Sequence, residues 1–552
     1  MSIPFLSSLR FPLFTLVFGL LAWQPAVQAH DDDEAPYTGK EKLGHVEFRV
    51  SCNAKAQAEF NRSMALFHSF WFDPAIKSFR NVLAQDPRCG MAHWGIAFMS
   101  IGNPFAWPAN PKAMQAGATA IADAERTGAK TEREQAYIAA LAGFFRDWEN
   151  VPHRTRAVAL QKSMEALAAR YPDDDEAQVL HALLLDATAL PTDKTFANQL
   201  RAAAILEPMF KKHPDHPGVA HYLIHSYDYA ELAEKGLASA RVYAGIAPSV
   251  PHALHMPSHI YSRVGLWPDM VEGNRRSYQA AKAELSDKTL GIGAYDALHA
   301  MDYMVFGELQ QAREQAAAKI VQETAGIQKV NVENFPAAYA FAAIPSRFAL
   351  ERRDWKGAAN LTLSPAGLSW EKFPQAEAIL VFSRALGAAR MGDVAAARRD
   401  QQRLEELKAA MLAAKIGYWP SQADFQIKTI AAWTAYAEHR HEEGLRLMRE
   451  AADMEEASDK HPVTPGNVVP SRQLLAEMLM EDGKPSDALV EFRRSLARDP
   501  NRYHTIAGAA RAALAAGDKA AAQKYVDQLL SVAANADTRR SELAEASTRS
   551  GK

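Results

Sequence analysis

The chain has 552 residues, with 62 Lys or Arg against 65 Asp or Glu and a formal net charge of −3. So near neutrality it carries no basic field for nucleic acid, and none is expected as a partner. It contains 18 histidines but only two cysteines, Cys52 and Cys89, so a bound metal would have to be held by nitrogen and oxygen ligands.

In the first 29 residues, MSIPFLSSLRFPLFTLVFGLLAWQPAVQA, Arg10 precedes an apolar run from Phe11 to Leu21, and the small residues Val27 and Ala29 follow. That order predicts a signal peptide over 1–29 and an exported protein, periplasmic or secreted, starting near His30. The run is too short to span a bilayer and no second run of about 18 apolar residues exists, so no membrane insertion of the mature chain is expected. Without the signal the charge becomes −3 − 1 = −4 over 552 − 29 = 523 residues. The acidic stretch HDDDE opens a segment, 30–50, whose start reads as a solvated tail. An oxidising compartment would let Cys52 and Cys89 pair, and two inert buried thiols are the alternative.

The next stretch, LFHSFWF at 66–72, places Phe67, Phe70 and Trp71 at helical spacing, as a core would. It leads into FDPAIKSFRNVLAQDPR, where Phe79 and Pro87 follow Ala75 by four and twelve residues. Ala488, Phe492 and Pro500 repeat that spacing near the other end, and there Gly483 and Gly517 lie 34 apart, as do Ala488 and Ala522. Each glycine interrupts a helical apolar pattern where a turn between two helices would fall.

The alanine, aromatic and proline at this spacing resemble the tetratricopeptide repeat, a helix-turn-helix unit of 34 residues. The resemblance is marked at 56–100 and 470–532 and weaker at 383–400, where Gly392 and Ala397 keep the interval. It implies an all-α superhelical solenoid of stacked repeats, since one such unit cannot cover its own apolar faces. The predicted order is an N-terminal array over 51–345 and degenerate helical repeats over 346–460. A proline-rich connector at 461–472, a C-terminal repeat pair over 473–533 and a disordered tail over 534–552 follow. Cys89 lies one repeat beyond Lys55, so Cys52 and Cys89 should occupy neighbouring corners, where a disulfide would staple the N-terminal segment to the first repeat.

The histidines fall into the same frame. Pro87 is followed after seven residues by Trp94; likewise Pro214 by His221 and Pro248 by His255. His225 and His259 follow four residues later, so HYLIHSYD and HMPSHIYS repeat an H-x-x-x-H pair at an interval of 34. Residues four apart share one face of a helix. The resemblance places fifth and ninth positions of each first helix on a concave groove, hence His221, His225, His255 and His259, with Trp94 and Phe98, and His252 if its helix starts early. Pro257 predicts a helix that begins there or kinks there, with His252 and His255 on the approach to it. YDALHAMDYMVFGELQQA adds His299 and Asp302, with Gly307 read as marking the turn in a slightly different register. Together with His213 and His216, eight of the 18 histidines lie within 213–299.

Two readings of the cluster follow. One is a scaffold that binds a protein or peptide in a histidine-lined groove. The other is a metal site for zinc, copper, nickel or iron built from His221, His225, His255, His259 and His299, with Asp228 and Asp302 as ligands or as acceptors that fix the imidazole tautomers. The metal reading leaves an enzyme open, though a non-catalytic role is the stronger expectation. Tyr222 and Met256 stand where the H-E-x-x-H metalloprotease helix needs its glutamate, and no nucleophile elbow or phosphate-cradling glycine loop occurs.

Overall fold

The computed structural model describes residues 38–285 and 291–550; the expected signal peptide and HDDDE lie outside the described residues. Among these the chain is all-α apart from short turns and one parallel pairing of Ile292–Gly293 with Lys329–Val330. Helices pair in succession, as Ala54–His68 with Phe72–Gln85, Tyr295–Gln310 with Glu314–Gly326 and Ser471–Glu481 with Pro485–Arg498. No helix among the described residues is long and apolar enough to cross a membrane.

One turn recurs between the paired helices. Its second residue is left-handed: Gly392, Gly483 and Gly517 at φ +78°, +72° and +82°, but also Phe70 at 51°, Ala312 at 56° and Arg353 at 55°. A Cβ at such a φ costs about 1 kcal/mol, which glycine avoids. The glycines therefore mark only those repeats that kept the unstrained choice. Ala312, not Gly307, forms the turn after Tyr295–Gln310, which corrects the register read from sequence. Gly307 lies inside the helix, and a Cβ there would come within 2.7 Å of Met270 Cε and Val271 Cγ2.

The repeat aromatic packs against a glycine of the next helix. A Cβ on Gly95 would lie 2.4 Å from the ring of Phe79, and one on Gly508 would lie 2.3 Å from the ring of Phe492. Burying a Phe this way contributes about 1.5–3 kcal/mol. This packing also corrects the placement of Trp94 and Phe98. They are 1% and 2% exposed, Trp94 stacking on Phe67 and Phe98 meeting that ring at a tilt, so they belong to the core and not to an open groove. Cys52 and Cys89 are joined by a disulfide with Cα atoms 5.1 Å apart.

Two apolar cores meet at the helix Tyr295–Gln310: Tyr303 and Phe306 belong to the first, Leu298, Met301 and Val305 to the second. The stretch 461–472 is not a free linker, because Val463, Thr464, Val468 and Val469 are buried. Nor is the described part of the expected tail, 534–550, frayed. A helix runs over Ser541–Ser550, Ala546 is buried, and Arg540 pairs with Glu314 at 2.7 Å.

Candidate metal centre

The helix Pro217–Tyr227 begins with proline, whose missing N–H costs nothing there, and His216 caps it by accepting from Val219 N at 3.2 Å. Gly218 lets the helix press against His68; a Cβ would meet His68 Nδ1 at 2.5 Å. That approach carries His221 to the end of the helix Ala54–His68, where His221 Nδ1 donates to the carbonyl oxygen of His68 at 2.7 Å. The His221 Nε2 lone pair is thereby free. It faces His225 Nε2 at 3.1 Å and His252 Nε2 at 3.2 Å.

The second pair sits on a broken helix. Pro251–His255 and Pro257–Val264 are separate segments because Pro257 has no N–H to give, while Met256 keeps helical angles. Thus the expected kink is present, and His252 and His255 stand on a helical turn rather than on a loop. Asn274 Nδ2 donates to Ser258 Oγ at 2.6 Å and to the Met270 carbonyl at 2.7 Å, which turns its Oδ1 to accept from His255 Nδ1 at 2.7 Å. His259 Nδ1 donates to Asp228 Oδ2 at 2.9 Å. His255 Nε2 then faces His259 Nε2 at 3.1 Å and His299 Nε2, from the helix Tyr295–Gln310, at 3.1 Å.

Of the residues singled out in sequence, six imidazoles come together: His221, His225, His252, His255, His259 and His299. The two aspartates do not join them as ligands. Asp228 accepts from His259, from Arg263 Nε at 2.9 Å and from Lys460 Nζ at 2.9 Å, so it fixes a tautomer from behind. Asp302 is fully buried and is taken by Arg347, with Nε at 2.7 Å from Oδ1, which removes it from the ligand set. His213 stands apart on Asp175 at 2.6 Å.

Burial is the first cause that holds every cluster imidazole below the ordinary histidine value, and neighbouring imidazoles add to it. His221, His225, His252 and His255 lie well below, and His299 falls to about 3. For His259 burial likewise outweighs the Asp228 carboxylate. Burial alone would raise Asp228, but Lys460 and Arg263 hold it well below the carboxylate range, while burial brings Lys460 down to about 8. These are the neutral nitrogens that a metal requires.

Several contributors were not read from the sequence as ligands or as walls of the site. Phe105 stacks on His225 at 3.8 Å between ring centres, and Phe70 stands 4.6 Å from His221. Tyr303 packs on His255 at 4.6 Å. A second buried group, His68, Glu176 and His216, lies behind His221. Glu176 accepts from both imidazoles at 2.8 Å, and these hold its carboxyl well below the usual range against the opposing effect of burial. Because His216 Nδ1 accepts from Val219 N, its Nε2 carries the proton, and the group supports the His68 end of the helix.

Comparison with known proteins places residues 479–545 in the tetratricopeptide repeat family. Residues 479–545 thus carry tetratricopeptide repeats, and the described residues have an all-α fold of successively paired helices. No curated protein matches it. Among solved structures, a human IFIT1 dimer with PPP-AAAA is 11% identical over 81% of this chain and 91% of that one, with a TM-score of 0.35. Naa15/Naa10 bound to HypK-THB is 13% identical over 90% of this chain and 73% of that one, with a TM-score of 0.23. Similarity at these scores transfers no ligand or partner to this protein.

Proposed function

We propose that this tetratricopeptide-repeat protein binds transition-metal ions through the imidazoles of His221, His225, His252, His255, His259 and His299. One observation carries the reading. His255 and His259 each use Nδ1 to donate, to Asn274 and Asp228, so the two Nε2 atoms that face each other at 3.1 Å are both acceptors. Two buried lone pairs at that distance repel unless a cation lies between them. A proton is poorly suited, because it would add a third positive charge beside Arg263 and Lys460 on the same aspartate. A metal suits them well: two nitrogens each about 2.0–2.1 Å from one ion stand roughly 3.3 Å apart at a tetrahedral angle.

The groove-binding reading draws less support, since a partner could not reach imidazoles 0–7% exposed such as His221, His225, His255 and His259. The solenoid exterior remains free to bind a protein or peptide as scaffolds of this kind do. The signal-like first residues lead us to place the protein outside the cytoplasm.

Elemental analysis of untagged protein tests the proposal, beside His255→Ala/His259→Ala. We expect near-stoichiometric transition metal in the natural chain and its loss from the variant. Absence of metal from the natural chain, as isolated and after incubation with copper, zinc, nickel and iron in turn, would overturn it.

A further inference from the structure

The six imidazoles do not form one ring of ligands. They form two sets of three, each around a hub: His221 Nε2 with His225 and His252, at 3.1 and 3.2 Å, and His255 Nε2 with His259 and His299, both at 3.1 Å. The sets lie side by side, with His225 and His259 rings 6.0 Å apart and His252 and His255 rings 6.2 Å apart. The ligand nitrogens of the His221 set all lie within 4.8 Å of one another, as one ion needs, whereas those of the His255 set must draw in around theirs; two ions so held would stand side by side, as in two-metal sites of roughly 3.5–4 Å separation.

The donor set also has a distinctive charge. All six ligands are neutral, the oxygens of Asp228 are engaged by His259, Arg263 and Lys460, and those of Asp302 by Arg347. A buried pair of divalent ions would bring four positive charges without one anionic ligand, and uncompensated buried charge is costly. Two copper(I) ions bring half that charge. Nitrogen sites also hold copper more tightly than other first-row divalent metals, so the pair remains bound when it is oxidised. Around the sets stand Phe70, Phe105 and Tyr303, an apolar wall; His252 and His299 are the partly exposed members, one from each set. An apolar surround of this kind suits a small uncharged molecule better than a hydrated ion.

Resting on the metal-binding reading above, we infer that the centre is a pair of copper ions that binds dioxygen between them. Each copper(I) gives up one electron and becomes copper(II). The two electrons reduce dioxygen to peroxide, whose oxygen–oxygen double bond becomes single and whose two charges bridge the ions. No proton and no protein atom is transferred, and release of dioxygen returns both electrons.

The test uses the full chain, stripped of metal and titrated with a copper(I) complex without air. We expect saturation at two ions per chain, falling to one in His299→Gln and in His252→Gln, each of which removes a ligand from a different set. Admitting dioxygen should then produce an oxygen–oxygen vibration that shifts with heavy dioxygen, with no paramagnetic copper signal because the two spins couple. Saturation at one ion per chain overturns this inference and leaves metal binding standing. Two ions that give isolated copper(II) signals and no isotope-sensitive band overturn the dioxygen step. No uptake of any metal overturns this inference and the proposed function together. Circular dichroism of the variants separates a lost ligand from a lost fold, and the titration of the natural chain decides the matter by itself if they fail to fold.

Discussion

Asn274 offers the sharpest separation of a metal centre from a merely structural histidine cluster. Its side chain makes hydrogen bonds of 2.7 Å with His255, 2.6 Å with Ser258 and 2.7 Å with Met270. Asn274→Leu keeps the branched side-chain shape and removes all three, a loss of about 3 kcal/mol at roughly 1 kcal/mol each. With Asn274 gone, however, His255 is free to move its proton to Nε2 and donate it to His259, which recovers about 1 kcal/mol in the metal-free protein. Metal-free stability should therefore fall by only about 2 kcal/mol. Metal affinity should fall ~10–100-fold, because the group that turns the His255 lone pair toward the ion is missing. Urea unfolding with and without copper or zinc reads both effects. At a concentration where metal adds about 2.7 kcal/mol to the natural chain, a tenfold loss leaves the variant about 1.4 kcal/mol. An unchanged metal increment beside a full 3 kcal/mol loss would mean that Asn274 only packs, and the lone-pair argument would fall with it.

Three further outcomes are expected. Gly95→Ala and Gly508→Ala should each destabilise by about 1–3 kcal/mol in thermal unfolding, because the new methyl meets the ring of Phe79 or Phe492 and overpacks the core. Cys52→Ser/Cys89→Ser opens a crosslink with a sequence separation of 37 and should cost about 2–4 kcal/mol in urea unfolding, with metal content unchanged. Asp186 is buried, bonded to Ser226 Oγ at 2.7 Å, and desolvation raises its pKa well above the ordinary value. It thus holds its proton in the folded state and loses it readily when unfolded, so its effect is to reduce stability as pH rises through the ordinary carboxylate range and beyond. Asp186→Asn should remove that slope, matching the natural chain near pH 4 and exceeding it near pH 8 in urea unfolding; parallel curves would exclude it.

The repeat was legible where side chains did the same job twice. Ala75, Phe79 and Pro87 recur as Ala488, Phe492 and Pro500 because the helix pair must close, fill and stop in each copy. Gly95 and Gly508, the residues those phenylalanines press on, went unnoticed, since a glycine inside a helix reads as a weak spot until its neighbour is known. The turns were legible at Gly392, Gly483 and Gly517 and hidden at Phe70, Ala312 and Arg353, where the backbone is equally left-handed and the strain is borne by other packing. In the centre, the spacing of 34 pointed to four imidazoles. It could not point to Lys460, which reaches Asp228 across 232 residues, nor to Phe105, whose loop precedes the histidines by more than a hundred.

The same periodicity explains why the imidazoles form two sets rather than one. A repeat protein that places an H-x-x-x-H pair on one first helix and copies that helix presents the copy beside the original, because neighbouring first helices pack in register. Each pair then needs only one more imidazole, and each finds it on the first helix of the next pair: His252 completes the pair His221 and His225, and His299 completes His255 and His259. The two completions are not equivalent. His252 belongs to the repeat immediately following, whereas His299 lies 44 residues beyond His255 and stands on the helix where the two cores meet. Movement between those cores would therefore reach the second set through His299 and leave the His221 set, anchored to His68 on the first helix, in place.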